Sequence, residues 1–558
     1  MKAKLRFRSV LVTLLAVIFM LTGCGSTQGT STPQTNHEHT LIKLSSREAT
    51  CLKEGRKAYW HCDGCGKYYL DAKAEQEVTL KETVIEKLPH TTTKTSGTEP
   101  TCVSTGRKDY YKCSDCNKMF LDEACTTEVE NDELNLPTKA HELKHVEKVP
   151  AKGKENGVKE HWNCLGCGGF FADESGKIKI SLEETIDYHP INIPDFVVEV
   201  PTGRDPVVLQ LTDTQIIDAG QVRPGRTGID HVFWATNQVE ERCYDYLTEV
   251  INATNPDLII MTGDNIYGEF DDKGTALTSL VNFMDSFEKP WAPIFGNHDN
   301  ESKKGVDWQC EQFENAKYCL FEQKELTGNG NYSVGIVQGE ELKRVFYMLD
   351  TNGCNGVSTE SLANGHTVKT IGFKQDQIDW YTKQINIIKE YSPETKISFA
   401  FHIPVAKFVD ACATYGYSYD MTEGFPINID RLQNKNESDF GIIGEKYKSE
   451  WDGANTVYEG IKALGADSIF VGHEHCNSFS IVYEGIRFQF GQKSSQYDRY
   501  NTIDANGNVV SVFAKPDGKQ SLVGGSVIVL GEEDGTIENS YIYYCGQPNG
   551  QIDWNKYN

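Results

Sequence analysis

Seven polar residues at the ends of hydrophobic runs carry the chemical interest of this chain. Val207–Leu211 runs into Thr212-Asp213-Thr214-Gln215, and Leu258–Met261 runs into Thr262-Gly263-Asp264-Asn265. Residues 293–295 lead to Gly296-Asn297-His298-Asp299, residues 398–401 to His402, and residues 468–471 to Gly472-His473-Glu474-His475. Beyond residue 200 the histidines are His231, His298, His366, His402, His473 and His475, and four of them stand at these ends. A single histidine is more often a satisfied core or surface residue than a ligand. Four at strand ends, beside Asp213, Asp264 and Asn297, do not read as packing. Imidazole and carboxylate oxygen suit transition-metal ions. The formal net charge is −25. A chain this acidic repels polyanions, which argues against general nucleic-acid binding. Any phosphate it handles must be drawn in locally, for example by metal ions.

The elements that must position these residues alternate. Helical patterns over 240–252, 374–390 and 456–464 separate the short buried runs, which predicts an α/β fold. In such sheets function gathers at the carboxyl ends of strands. The whole chain has 558 residues with 39% hydrophobic content, enough for several domains with real cores. A proline-marked stretch, Pro190-Ile191-Asn192-Ile193-Pro194, marks a boundary. We assign 190–199 as a linker and 200–558 as the domain that carries the chemistry.

The ordered set Asp213-x-Gln215, Gly263-Asp264, Gly296-Asn297-His298-Asp299, His402 and Gly472-His473-Glu474-His475 resembles the calcineurin-like metallophosphoesterases. The family pattern is D-x-H, G-D, G-N-H-D/E, a lone His and G-H-x-H. The wording around the motifs, such as Gly263-Asp264-Asn265-Ile266-Tyr267-Gly268 and Phe401-His402-Ile403-Pro404, is similar to the purple-acid-phosphatase-like branch of plants and fungi. The resemblance implies a four-layer α-β-β-α sandwich. It places Ile486–Phe490, 525–530 and 541–544 in the second sheet.

The resemblance also implies a mechanism. Two divalent or trivalent ions (Fe, Mn or Zn) about 3.5–4 Å apart would offset the charge of a phosphate ester and generate hydroxide near neutral pH. Asp264 would bridge them. Asp213 and His475 would hold the first, and Asn297, His402 and His473 the second. His298 would stabilise transition-state charge or protonate the leaving oxygen. Asp299 would orient the His298 ring or serve the loop. Gln215 stands where the family has a ligating His. Either its amide oxygen, a water, or the phenolate of Tyr267 completes the first site. Tyr267 also fits the G-D-x-x-Y spacing of true purple acid phosphatases. Arg223 and Arg226, in the loop after the first motif, either grip substrate phosphate or are solvated. The expected activity is hydrolysis of phosphate mono- or diesters. The alternative is a surface-binding protein whose phosphoesterase domain has decayed.

Upstream lie three copies with a period of 51: 37–89, 90–140 and 141–189. His39, His90 and His141 recur at this spacing, as do Cys62, Cys113 and Cys164, and Cys65, Cys116 and Cys167. Cys51 and Cys102 recur too, but the third copy has Gly153 there. Aromatic residues flank each C-x-x-C, which predicts small β-hairpins. Units of this size usually need a staple. Zinc, held by His39, Cys51, Cys62 and Cys65 and by His90, Cys102, Cys113 and Cys116, is favoured over disulfides in the first two copies. The third, with Cys164 and Cys167, leaves both open. These repeats resemble Cys-rich repeats of Gram-positive surface lipoproteins.

The first 23 residues read as a signal peptide. Lys2, Lys4, Arg6 and Arg8 precede a twelve-residue apolar run over 10–21, too short to span a membrane. Leu21-Thr22-Gly23-Cys24 is similar to the bacterial lipoprotein box, which implies lipidation of Cys24 and display on the outer face of the cell membrane. Residues 24–36 read as a flexible tether.

Overall fold

The structure is a computed structural model. It describes residues 38–221, 223–224, 240–353, 372–418, 426–431, 435–445, 453–495, 499–503, 509–513 and 522–554. The expected signal peptide, tether and Cys24 lie outside these residues, as does Arg226. No helix among the described residues is long and apolar enough to cross a membrane. The chain divides into two compact units, residues 1–142 and 143–558.

The first unit holds two β-rich copies of one pattern. Leu41–Leu44 pairs antiparallel with Tyr59–Cys62, which pairs with Tyr68–Tyr69. Fifty-one residues on, Thr92–Thr95 pairs with Tyr110–Cys113, and that strand with Met119–Phe120. Each C-x-x-C closes a tight turn in which the amide of Gly66 or Asn117 donates to the carbonyl of Cys62 or Cys113. Both residues have left-handed φ, +73° and +64°, conformations that Gly and Asn adopt most readily.

The second unit opens with the third copy, in which Leu143–Val146 pairs with His161–Cys164. The region expected to carry the chemistry follows. Its strands are β1 (Phe196–Glu199), β2 (Val207–Leu211), β3 (Leu258–Met261), β4 (Trp291–Pro293), β5 (Tyr332–Gln338), β6 (Glu341–Leu349) and β7 (Lys396–Phe401). They continue with β8 (Ile427–Asn428), β9 (Phe440–Ile443), β10 (Ala466–Val471), β11 (Ser478–Tyr483), β12 (Ile486–Phe490), β13 (Gly524–Leu530) and β14 (Ile537–Tyr544). The helices are α1 (Glu240–Thr254), α2 (Thr275–Asp285), α3 (Val306–Asn315), α4 (Gln375–Tyr391), α5 (Lys407–Ala413) and α6 (Ala454–Ala463).

Two sheets result. One has the order β1-β5-β6-β7-β10-β12-β11-β9-β8, the other β4-β3-β2-β13-β14. Side chains from both sheets join one hydrophobic core. The last segments therefore divide between the sheets, rather than all joining the second as the resemblance implied. β12 pairs parallel with β10, Ser468 opposite Arg487, whereas β13 pairs antiparallel with β2, Val207 opposite Val529.

The sequence explains the central elements. β3 is apolar throughout and buried along its length, as a parallel strand covered on both faces must be. α1 buries Cys243, Leu247, Val250 and Ile251, one stripe at helical spacing, and packs on β13 and β2. The carboxylate of Asp271 accepts the amides of Ala276 and Leu277, satisfying donors in the first turn of α2.

Residues 190–199, expected as a linker, belong to this unit's core. Ile191 and Ile193 are buried, and β1 pairs parallel with β5. The third copy also leans on α4. Lys159 pairs with Glu390 at 3.3 Å, Lys383 pairs with Glu183, and the Tyr391 hydroxyl donates to the carbonyl of Ile186.

Candidate metal centre

Strand register brings the motif residues to one level. β2, β3 and β4 run parallel with Leu211 opposite Met261 and Met261 opposite Pro293. Asp213, Asp264 and the Gly296-Asn297-His298 turn therefore leave the same edge of that sheet. β7 and β10 are parallel neighbours in the other sheet, with Ala400 opposite Phe470, so His402 and His473 also emerge together. The two edges are stitched where the Gln210 side-chain amide donates to the carbonyl of Val471, and within the second edge the Gly472 amide donates to the carbonyl of His402.

The backbone at the centre is unusual. Asp213, Gln215, Asp264 and His473 all have positive φ, between 43° and 78°. Such conformations cost roughly 1–3 kcal/mol each and persist only where surrounding structure enforces them. Two motif glycines are explained by space. A Cβ on Gly296 would lie 2.2 Å from Asp264 Oδ1, and one on Gly472 would lie 2.1 Å from Thr212 Oγ1.

The side chains converge. His475 Nε2 lies 3.2 Å from Asp213 Oδ1, and His402 Nε2 lies 3.3 Å from Asp264 Oδ2. Neither contact has hydrogen-bond geometry: Asp213 Oδ1 and His402 Nε2 are buried polar atoms without a hydrogen-bond partner. His402 Nδ1 meets the carbonyl of Thr262 at 2.8 Å, which fixes a proton on Nδ1 and leaves the lone pair on Nε2. His473 Nδ1 faces Asn297 Oδ1 at 2.7 Å. Ligand atoms of Asp213, Asp264 and His475 all lie within 4.8 Å of one another. Unsatisfied buried carboxylate and imidazole atoms facing each other are costly unless a cation completes them. The residues present fit metal ions.

Electrostatics agree with that fit. Burial works against the charged form of Asp264, but the His402 and His298 rings outweigh it and hold the carboxyl far below its usual range. Burial, reinforced by the neighbouring His402, pushes His473 down to about 3, so its imidazole is neutral. Burial opposes the charge on His298 too, but Glu301 and Asp264 hold it up to about 9.

The second coordination of the site departs from expectation in three places. Gln215 does not turn its oxygen inward. Lys493 Nζ, which can only donate, lies 2.8 Å from Gln215 Oε1, and the amide nitrogen faces Asp264 Oδ2 and His475 Nε2, each at 3.2 Å. Lys493 is buried and follows β12, in a parallel bridge with Thr212. Tyr267 stacks on His298, ring centroids 4.2 Å apart and 22° from parallel.

Asp299 does not touch the His298 ring. It is buried and accepts the amides of Gly296 and Ile266 at 2.7 and 3.0 Å, holding the loop. The ring is met by Glu301, whose Oε2 lies 2.9 Å from His298 Nδ1. Glu301 and Lys493 were missed by sequence reasoning. Glu301 lies two residues past Gly296-Asn297-His298-Asp299, outside the motif, and Lys493 carried no motif. Arg223 is not solvated: it is buried and forked onto Asp272.

In the first unit the structure redraws the predicted zinc sets. Cys51 lies with His90, Cys113 and Cys116, not with His39, Cys62 and Cys65. His39, Cys62 and Cys65 form a group of three, and Cys102 stands outside both groups. The reason is geometric: the segment bearing Cys51 lies against the following copy, with Cys51 Sγ 4.0 Å from Cys113 Sγ. Cys164 is buried and Cys167 half-buried in the second unit. Among the described residues the repeat cysteines form no disulfide.

The sequence pattern of the calcineurin-like phosphoesterases matches residues 206–477. Phosphatase DCR2 of Saccharomyces cerevisiae is 26% identical over 253 residues, 42% of this chain and 39% of the yeast protein. Probable inactive purple acid phosphatase 14 of Arabidopsis thaliana is 25% identical over 260 residues, 43% of this chain and 59% of the plant protein. The chain thus spans about two to three fifths of the length of these relatives. A dimetal phosphatase from Danio rerio aligns over 61% of this chain and 99% of its own, with 11% identity and a TM-score of 0.35. Residues 206–477 are a calcineurin-like metallophosphoesterase domain with purple-acid-phosphatase-like relatives.

Proposed function

We propose that the second unit is a metal-dependent hydrolase of phosphate esters, built as a four-layer α-β-β-α sandwich and displayed outside the cell membrane by the lipid on Cys24. The observation that carries this reading is the pair of buried, unpartnered ligand atoms, Asp213 Oδ1 and His402 Nε2, each facing a group of complementary type. Asp264, Asn297, His402 and His473 would hold one metal ion. Asp213, Asp264 and His475 would hold the other, with Gln215 contributing no oxygen while Lys493 holds it. When bound, the metals would supply Lewis-acid activation of water and neutralise phosphate charge.

The rest of the work falls to the chain. His298 keeps Nδ1 against Glu301, which leaves Nε2 to hand a proton to the leaving oxygen or to donate to a phosphate oxygen. Tyr267 supports the His298 ring by stacking, and Asp299 fixes the loop from which the ring projects. The acidic chain gives no general attraction for polyanions, which favours small esters admitted one at a time.

The hold of Lys493 on Gln215 is the specific observation behind the alternative, a surface-binding lipoprotein with a decayed domain. One experiment separates the two. The full chain is loaded with Mn, Fe or Zn, its metal content measured, and aryl mono- and diesters offered. Hydrolysis is expected, with His298→Ala lowering kcat about 100-fold or more at unchanged metal content. A metal-loaded wild-type chain without turnover on either ester class would sink the enzyme reading. A colour that Tyr267→Phe bleaches would move Tyr267 from support to ligand.

A further inference from the structure

Four ligand-bearing side chains outside the catalytic domain meet across two repeats. Cys51 belongs to the first copy; His90, Cys113 and Cys116 belong to the second. Their ligand atoms all lie within 4.8 Å of one another. Cys51 Sγ is 4.0 Å from Cys113 Sγ, and Cys116 Sγ is 3.5 Å from His90 Nδ1. Two thiolates on one tetrahedral zinc, at Zn–S distances of about 2.3 Å, sit about 3.8 Å apart, and a thiolate and an imidazole about 3.5 Å apart. The sulfur separation is roughly twice a disulfide length, so the geometry is that of a ligand shell and not of a bond. Cys51 and Cys113 are buried against Phe120, with the His90 ring 4.7 Å from that of Phe120, so the shell is closed to solvent exchange on that side.

The sequence gives independent support. The leading cysteine is present in the two copies that another copy follows, as Cys51 and Cys102. In the last copy it is Gly153. A cysteine used by its own repeat would be needed in all three. A cysteine handed to the next repeat is dispensable in the last.

We propose that Cys51, His90, Cys113 and Cys116 hold one structural zinc ion that clasps the first repeat to the second. Three thiolates and one imidazole close the coordination, leaving no open position for chemistry. The ion thereby stabilises an inter-repeat joint as well as a hairpin, in units too small to bury much core.

Metal counts on the full chain test this. Cys51→Ser and His90→Ala should each lose one zinc equivalent relative to wild type. The double variant should also lose one, because both residues serve one ion. Loss of two equivalents in the double variant, or none in Cys51→Ser, would overturn the proposal. If a variant misfolds, wild type still answers. With zinc bound, Cys51, Cys113 and Cys116 should resist alkylation together, and a chelator should expose all three at one rate by peptide mass spectrometry. Labelling of Cys51 at a rate indifferent to chelator would overturn the clasp, as would a native Cys51–Cys113 disulfide.

Discussion

Glu301 and Asp299 sit two residues apart, yet only Glu301 meets the His298 ring. Glu301→Gln should therefore act as loss of a positioning residue: kcat falls about 10-fold or more with metal content unchanged. Asp299→Ala should instead cost fold stability, because buried amides of Gly296 and Ile266 lose their acceptor. Calorimetry beside kinetics distinguishes the two. Lys493 makes a second residue-scale prediction. Lys493→Met removes the donor that holds Gln215 Oε1 and the positive charge beside the first metal position. Metal titration should then find the first ion bound more tightly; unchanged affinity would mean that Lys493 does not govern it. The converging side chains were legible because each follows a hydrophobic run, where a strand must stop and a polar side chain has no packing role. Lys493 was not legible, because a lone lysine after a strand is ordinarily solvated. Only the antiparallel return of β11 into β12, and the bridge of Lys493 to Thr212, bring it inside.

Among elements, the β11–β12 hairpin is the clearest case of local chemistry setting a joint. Tyr483 pairs with Ile486, so Glu484-Gly485 form a two-residue turn, and both have positive φ as that turn requires. Glu484 then reaches Lys462 of α6 at 2.6 Å and Lys407 of α5 at 3.3 Å. The Lys462 hydrogen bond, with Lys407 adding to it, holds the Glu484 carboxyl down to about 2. A lowered carboxyl contributes stability above its unfolded value, 4.5, and loses it as pH falls toward 2. Glu484→Gln should therefore unfold at a higher pH on acid titration, with the difference from wild type vanishing near pH 2; the pair is exposed, so the shift is small. Strand ends were easier to read than strand partners. Val207–Leu211, Leu258–Met261 and Ile486–Phe490 agree with the sequence to the residue, whereas the sheet that each late strand joins depends on non-local pairing.

At the scale of the molecule, the unit that holds the candidate metal centre begins earlier than composition suggests. The prolines at 190 and 194 read as a linker, but Ile191 and Ile193 are buried and the third copy rests on α4. Fragments starting at Leu143 and at Pro190 should both hydrolyse phosphate esters, since every site residue lies beyond 200. The shorter one should melt about 2 °C or more lower, because it bares the face of α4 around Tyr391. Equal melting temperatures would mean that the third copy adds no stability.

The 51-residue spacing also constrains how such a chain can change length. The 51-residue unit that repeats in the sequence and the stretch from Cys51 to Cys116 that would close around the proposed ion are out of step by part of a period. Inserting or deleting one whole copy keeps the order of a leading cysteine followed, one copy on, by a histidine and a C-x-x-C pair, so a whole-copy change preserves the four-ligand pattern. A cut at any other length strands a cysteine on one side and an incomplete triad on the other. A whole-copy change can thus lengthen or shorten the repeat region without altering the ligand spacing.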